Sequence, residues 1–91
     1  MANTKSAIKR IRSSERKRKR NRMVRSATRT ETRKARQFME AGQIEEAAET
    51  THRAVSLLDR AAEKGMIHRR NAARRKSRLM HALHKAQKEA T

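Results

Sequence analysis

The amino-acid sequence predicts an all-α protein, a three-helix antiparallel bundle with a long, basic first helix that projects beyond it. Good helix formers dominate the 91 residues, Pro is absent, and Gly occurs only at Gly42 and Gly65. Apolar residues recur at three- and four-residue spacing in each of the three segments that these glycines separate. The length is that of a single domain.

The first predicted helix runs from about Thr4 to Ala41. Asn3 or Thr4 is the candidate N-cap, and Gly42 stands where a left-handed C-terminal cap is expected. The segment carries 15 basic and 3 acidic residues. Only its latter half offers positions suited to a core, which are Val24, Ala27, Ala35, Phe38 and Met39.

We therefore expect one helical domain over residues 1–91, with a basic helical extension at 1–22 and a bundle at 23–88. In the extension, residues 12–22 read RSSERKRKRNR: seven are basic, one is acidic and none is apolar. A helix charged on all sides has no face to bury in its own protein or to lay on a membrane. We expect a helix that forms on binding a polyanion, most commonly nucleic acid. The alternative is a solvated, disordered tail.

The second and third predicted helices are amphipathic. The second runs from about Ile44 to Lys64 and is the only acidic segment, with 3 basic and 5 acidic residues. Its expected core positions are Ile44, Ala48, Thr51, Val55, Leu58 and Ala62, flanked by Ala47, Ala54, Leu57 and Ala61. The third runs from about His68 to Lys88, and its expected core positions are Ala72, Leu79, Leu83 and Ala86, with Ala73 and Met80 alongside.

A second basic cluster lies at the start of the third helix. Six of the ten residues 69–78 are basic and none is acidic, which favours phosphate contact over a merely solvated face. Arg70, Arg74 and Arg78 are spaced to share one side of the helix. His68, directly before the helix, is expected to act as a cap or as a phosphate partner.

Several function classes lack the residues they need. Cys is absent, and the pair His81 and His84 has no further ligand beside it, so we predict no metal site. No nucleophile with a base, carboxylate pair or Gly-rich phosphate loop is present, so we predict neither an enzyme nor a cofactor nor a small-molecule substrate. No apolar run exceeds two residues, so we predict a cytoplasmic protein without a membrane-spanning or signal segment.

The mode of recognition is also limited by composition. Phe38 is the only aromatic residue, and it is expected in the core. Modules that read single-stranded RNA stack bases on several aromatic side chains. Recognition is therefore expected to depend on backbone phosphates, RNA shape and 2′-hydroxyl groups.

Two stretches resemble the bacterial small-subunit ribosomal protein S20 family. The opening, MANTKSAIKRIR, is similar to the family's Met-Ala-Asn-x-Lys-Ser-Ala-x-Lys-Arg start. The stretch from Asp59 to Met80, DRAAEKGMIHRRNAARRKSRLM, is similar to its Lys-Gly-x-Ile-His hinge followed by Ala-Ala-Arg-x-Lys-Ser-Arg-Leu. The two motifs cover about a third of the chain, and the pattern of helices and charge covers nearly all of it.

The resemblance implies a three-helix bundle with an extended first helix, in the cytoplasm and within the small ribosomal subunit. It implies direct binding to 16S ribosomal RNA early in assembly, at the 5′ domain and at the penultimate stem. The positions that match the family motifs are Lys5, Ser6, Lys9, Arg10, His68, Arg74, Lys76, Ser77 and Arg78. One departure is visible, because Arg70 stands where the family usually has Asn, and Asn71 follows it.

Charge pattern and resemblance together give one set of candidate RNA-binding residues. In the first helix they are Lys5, Ser6, Lys9, Arg10, Arg12, Arg16, Lys17, Arg18, Lys19, Arg20, Arg22, Arg25 and Arg29. Around the third helix they are His68, Arg69, Arg70, Arg74, Arg75, Lys76, Ser77 and Arg78. The main alternative is a DNA-binding basic helix of the leucine-zipper type, which predicts Leu heptads directly after the basic region.

Overall fold

The computed structural model describes residues 4–90, which form three α-helices joined by two short turns. The helices are α1 (Lys5–Glu40), α2 (Ile44–Glu63) and α3 (Arg69–Glu89), each within one residue of its predicted bounds. Thr4 is the N-cap of α1, since its side-chain oxygen accepts a hydrogen bond from the Ala7 N–H at 3.2 Å. The other candidate cap, Asn3, lies outside the described residues.

Both turns are built on a glycine in the left-handed region. Gly42 has φ 74° and Gly65 has φ 77°, as expected where a helix ends in a left-handed cap. After each glycine, the next N–H reaches back to the last turn of the helix: Gln43 donates to the Phe38 carbonyl at 2.9 Å, and Met66 donates to the Ala61 carbonyl at 2.8 Å. These Schellman turns reverse the chain, so sequential helices run antiparallel.

The three helices form the predicted antiparallel bundle. α2 packs against both α1 and α3, whereas α1 and α3 touch each other least. The direction of the helices is visible in two long-range contacts. Arg25, well inside α1, reaches the Met66 carbonyl just beyond the end of α2, and Asp59 near the end of α2 pairs with Lys76 in the first half of α3.

The centre of the core is made largely of alanine. Ala35, Ala54 and Leu79 form its buried cluster, with Met39 packed against it. The other buried apolar residues are Ala47, Leu58, Ala61, Met66, Ala72 and Leu83. Alanine allows helix axes to approach closely but buries little apolar area, at about 25 cal/mol per Å². The bundle is therefore close-packed without a large hydrophobic contribution to its stability.

The predicted core on α2 is confirmed, but its centre is rotated. The expected flanking residues Ala47, Ala54 and Ala61 are fully covered, together with Thr51 and Leu58. Four members of the predicted stripe and one flanking residue are half-buried at its edges: Ile44, Ala48, Val55 and Ala62, with Leu57 beside them. The alanines at the centre allow the helices to approach closely, and Leu58 is the large side chain of α2 that is fully buried there.

Several core predictions for the other helices are wrong. Ala27, Ala73 and Met80 are exposed, and Phe38 is half-buried rather than in the core. On α1 the position facing the bundle is instead Thr28, which is 6 % exposed. Its hydroxyl donates to the Val24 carbonyl at 2.8 Å, so the polar atom is satisfied within the helix and the residue can be buried.

The first half of α1 projects beyond the bundle. From residue 4 to residue 20 every side chain is exposed except that of Ala7, which is half-buried. The molecule measures 64 × 22 × 15 Å, and its long axis exceeds the roughly 54 Å expected for a 36-residue helix. None of the helices within the described residues offers an apolar stretch able to cross a bilayer.

The extension should open far more readily than the bundle in the protein without RNA. Like charges four residues apart, such as Arg12 with Arg16 and Arg16 with Arg20, weaken a helix that has no buried face to stabilise it. Amide hydrogen exchange on the free chain should therefore be fast over residues 5–22 and slow in α2. Addition of RNA should slow exchange in the extension. Strong protection of residues 12–22 without RNA would contradict folding on binding.

Candidate nucleic-acid interface

Every candidate RNA-binding residue is exposed, from Lys5 to Arg29 in α1 and from His68 to Arg78 around α3. The helices differ sharply in charge. α1 with its caps carries 15 basic and 3 acidic residues, whereas α2 has more acidic than basic side chains. The basic surface is therefore concentrated on the two outer helices, with the acidic helix packed between them.

The extension displays its charges around the whole helix. Arg16, Lys17, Arg18, Lys19 and Arg20 follow one another without a break, so they point in successive directions about the axis. Along one side the side chains enclose a shallow trough of about 690 Å³, lined by Ser14, Lys17, Arg18, Asn21, Arg22, Arg25, Ser26 and Arg29. The trough leads from the extension to the bundle.

A larger groove of about 950 Å³ lies between α1 and α3, and we call it the α1–α3 groove. Its α1 wall carries four arginines, and its α3 wall carries two arginines and a histidine. The lining residues are Arg25, Thr28, Arg29, Thr32, Arg33, Arg36, Gln37, Glu40, Met66, Ile67, His68, Asn71, Arg75 and Arg78. Arg25 and Arg29 also line the trough, so the two depressions are adjacent.

The turn between α2 and α3 fixes one end of this groove. The positive φ of Gly65 directs the chain so that the Met66 side chain is buried, at 8 % exposure. The Met66 carbonyl accepts a hydrogen bond from the Arg25 guanidinium at 3.4 Å, which ties the turn to α1. The local backbone of the turn therefore sets where α3 starts relative to the arginines of α1.

His68 is the N-cap of α3, one of the two roles predicted for it. Its Nδ1 accepts a hydrogen bond from the Arg70 N–H at 3.1 Å. A neutral imidazole that accepts at Nδ1 carries its hydrogen on Nε2. The cap therefore leaves His68 with a hydrogen-bond donor at the edge of the α1–α3 groove.

The structure divides the basic cluster of α3 between different sides of the helix. Arg75 and Arg78 line the α1–α3 groove, whereas Arg70 and Arg74 do not, so the predicted common face of Arg70, Arg74 and Arg78 is only partly brought together. The ammonium group of Lys76 pairs with the Asp59 carboxylate of α2 at 3.4 Å, on an exposed surface. Arg69 and Ser77 are exposed and also lie outside the groove.

Two arginines of the groove, Arg33 and Arg36, are not among the residues predicted to bind RNA. Their signal was the spacing from Arg25 and Arg29, because steps of four, four and three residues keep all four on one side of a helix. Asn71 also lines the groove, and its Oδ1 accepts a hydrogen bond from the Arg74 guanidinium at 3.3 Å. At the point where this sequence departs from the family motif, it is therefore Asn71, and not Arg70, that lines the groove beside α1.

The arrangement suits electrostatic binding rather than chemistry. Within residues 4–90 no group of three or more His, Asp or Glu side chains is placed to hold a metal ion. The groove offers guanidinium groups, one imidazole and side-chain amides, all of which donate hydrogen bonds, and Glu40 is the one acidic residue that lines it. Such a surface binds anions, and arginine in particular suits the oxygens of phosphate.

Comparisons with known proteins give one consistent result. The profile of the family described as Ribosomal protein S20 matches residues 2–84. The chain is 62% identical over 80 residues to the Small ribosomal subunit protein bS20 of Thermomicrobium roseum, covering 88% of this chain and 81% of that protein. It is 55% identical to the protein of the same name from Roseiflexus sp., over 94% of this chain and 93% of the relative. The Mycolicibacterium smegmatis protein of that name is 49% identical, with 93% and 99% covered.

Removal of the His68 cap should destabilise the bundle without altering any core residue. His68→Ala leaves the Arg70 N–H without its partner and should lower the free energy of unfolding by about 1 kcal/mol. His68→Asn is the matched control, because Asn is a good N-cap and should retain most of that stability. Urea unfolding followed by circular dichroism measures both variants. Equal stability of His68→Ala and the unaltered protein would show that the cap contributes nothing.

Proposed function

Because this chain belongs to the ribosomal protein S20 family, we propose that it binds 16S ribosomal RNA directly and stabilises the folded RNA during assembly of the small ribosomal subunit. A member of this family is a structural component of the small subunit, not an enzyme, and works in the cytoplasm within the ribosome. Direct contact with 16S RNA is supported by the charge and the shape of the protein surface.

The single observation that carries the proposal is the exposed, all-round basic extension. A helix with Arg and Lys on every side, and no buried face, has nothing to pack against in its own chain. A net charge of +17 also opposes compaction until counter-charge arrives. Folded RNA supplies phosphates from several directions at once, which matches charges that point in several directions.

We propose that the chain acts as one domain with two contact surfaces. The extension, residues 1–22, neutralises phosphates of adjoining RNA elements along its length. The bundle, residues 23–88, adds the basic sides of α3 and the α1–α3 groove. By resemblance to the family, the RNA elements are the 5′ domain and the penultimate stem of 16S RNA.

The proposed binding mode uses backbone contacts and shape. Arginine binds phosphate oxygens in a bidentate geometry, and Ser and His side chains add single hydrogen bonds. The half-buried Phe38 is the only aromatic side chain of the chain, so stacking of splayed bases has no platform. Specificity then depends on how the RNA positions its phosphates and 2′-hydroxyl groups.

The alternative of a DNA-binding basic helix finds no support in the fold. A basic region of the leucine-zipper type continues into a dimerising helix with Leu heptads. Here α1 ends at Glu40, the chain reverses at Gly42, and α2 packs back along α1 within the same chain. The basic segment is thus the first half of a helix whose second half packs in an intramolecular bundle.

The affinity for 16S RNA should depend strongly on salt. If about ten phosphates are neutralised, the logarithm of the binding constant should fall against the logarithm of salt concentration with a slope near −7 to −9. Titrations by filter binding or fluorescence at several salt concentrations measure the slope. A slope shallower than about −3 would mean that most of these charges remain in solvent when RNA binds.

The two contact surfaces should fail separately. A variant with Arg12→Gln, Arg16→Gln and Arg20→Gln changes only the extension, and a variant with Arg70→Gln, Arg75→Gln and Arg78→Gln changes only α3. Each removes three exposed arginines and spares every buried residue, so each is the charge-matched control of the other. Two contacts on one scaffold act through effective concentration, so either variant should weaken binding by about 10²-fold.

Chemical footprinting of 16S RNA distinguishes the two surfaces. Each variant should lose protection at its own set of nucleotides and keep most of the other set. Circular dichroism should show that both bundles remain helical. Identical loss of every protection in the two variants would leave a single diffuse electrostatic surface in place of two.

A further inference from the structure

Five of the six guanidinium groups that line the α1–α3 groove are uncommitted. Among the described residues, Arg53 and Lys76 have acidic partners, Arg74 is bound to Asn71, and Arg25 is bound to a backbone carbonyl. The other five arginines of the groove make no hydrogen bond or ion pair within residues 4–90; they are Arg29, Arg33, Arg36, Arg75 and Arg78. Uncommitted donors on facing walls point to a ligand that is anionic along its length.

We propose that the α1–α3 groove holds a linear run of phosphate groups, the backbone of one extended RNA strand, and that its occupation stabilises the bundle. The inference rests on the proposed RNA binding and names the form of RNA that this site takes. In this proposal, duplex or folded RNA binds to the extension and to the outer sides of α3 instead.

The size of the groove selects a single strand. The Cα atoms of the described residues span 22 × 15 Å across the two short axes, so an RNA duplex, which is about as wide as this span, cannot enter a groove between two of the helices. A single strand can. Arg25, Arg29 and Arg33 follow one another by one helical turn, or about 6 Å along the axis. That spacing is comparable to the separation of consecutive phosphates on an extended strand.

The stabilisation follows from the charges on the two walls. Arginines of α1 and α3 face each other across the groove, with Glu40 as the one acidic side chain among the lining residues. Their repulsion opposes the approach of α1 and α3 when the groove is empty. A phosphate run between the walls replaces this repulsion by attraction to both helices.

The groove differs from the extension in how it links binding to folding. The charges of the extension lie along one continuous segment and are exposed on all sides, so an unfolded chain presents them to a polyanion nearly as well. The groove exists only when α1 and α3 are held in the bundle. A ligand stabilises a fold only through its preference for the folded form, so groove binding should raise the melting temperature and extension binding should not.

Thermal unfolding of the full chain with a short linear polyphosphate tests the inference. At about one hundred times the dissociation constant, the unfolding equilibrium should shift about 100-fold and the melting temperature should rise by roughly 10 °C or more. Monophosphate at equal ionic strength should give a much smaller rise. Equal rises with monophosphate and polyphosphate would overturn the requirement for a linear run.

Two charge-matched variants locate the effect. The groove variant carries Arg29→Gln, Arg33→Gln and Arg75→Gln, and the extension variant carries Arg12→Gln, Arg16→Gln and Arg20→Gln. The groove variant should lose most of the rise with polyphosphate, while its melting temperature without anion stays equal to or above that of the unaltered chain because repulsion has been removed. The extension variant should keep the rise. Equal losses in both variants would overturn the assignment to the groove.

RNA probes distinguish an RNA strand bound in the groove from free polyphosphate bound there, and from RNA bound elsewhere on the protein. Single-stranded oligouridylate should reproduce the groove-dependent rise, and the same strand within a duplex should not. If polyphosphate raises the melting temperature and oligouridylate does not, the ligand of the groove is free polyphosphate, and the proposal of an RNA strand is overturned. If the unaltered chain binds 16S RNA but no probe gives a groove-dependent rise, the groove inference is wrong while the proposed function stands. If it does not bind 16S RNA, the proposed function is wrong, whichever result the groove gives.

Discussion

Repulsion between like charges is the constraint on which the rest of this structure depends. The chain carries +17, and its core consists largely of alanine, which contributes little burial to oppose that repulsion. The order of charge along the chain, basic then acidic then basic, reduces this repulsion. The acidic α2 lies between the two basic helices and packs against both, and one exposed pair, Lys76 with Asp59, marks this complementarity directly. α1 and α3 touch each other least, and no residue of the acidic α2 lines the groove between them, so the groove lies where charge has not been compensated.

The turn at Gly65 joins the fold to the binding surface. A glycine that can adopt φ 77° ends α2, the following Met66 N–H closes the Schellman turn, and the Met66 carbonyl receives the Arg25 guanidinium. Two residues later His68 caps α3. The same few residues thus end one helix, start the next and fix both walls of the groove.

The sequence predicts the elements of this protein well because their signals are local. Two glycines, two capping side chains and the spacing of apolar residues place all three helices within one residue of their bounds. The details that depend on neighbouring helices are predicted less well. Ala27 and Thr28 are adjacent, and the packing of the neighbouring helices against α1 buries Thr28 and leaves Ala27 exposed. Hydropathy predicts the opposite, because it takes no account of the hydrogen bond that the Thr28 hydroxyl donates to the Val24 carbonyl.

In the candidate site, too, the local features are predicted from the sequence, and those that depend on tertiary packing are not. The exposure of the basic residues follows from their charge, and every one of them is exposed as expected. Which of them share a surface is a tertiary property: the sequence groups Arg70 with Arg78, whereas the fold groups Arg78 with Arg36 across the groove. Arg33 and Arg36 were overlooked because they lie beyond the densest run of charge, although their spacing continues that of Arg25 and Arg29.

Ala35 and Ala54, both 0 % exposed, act as spacers that determine how far apart the outer helices stand. They lie at the centre of the bundle, where the size of a single side chain sets the separation of α1 and α2 and thereby the position of α1 relative to α3. The dimensions of the basic surface are thus encoded partly by uncharged residues that no RNA can reach. One methyl group added at either position would displace α1 relative to α3 and so reshape the basic surface, with every arginine of that surface left in place.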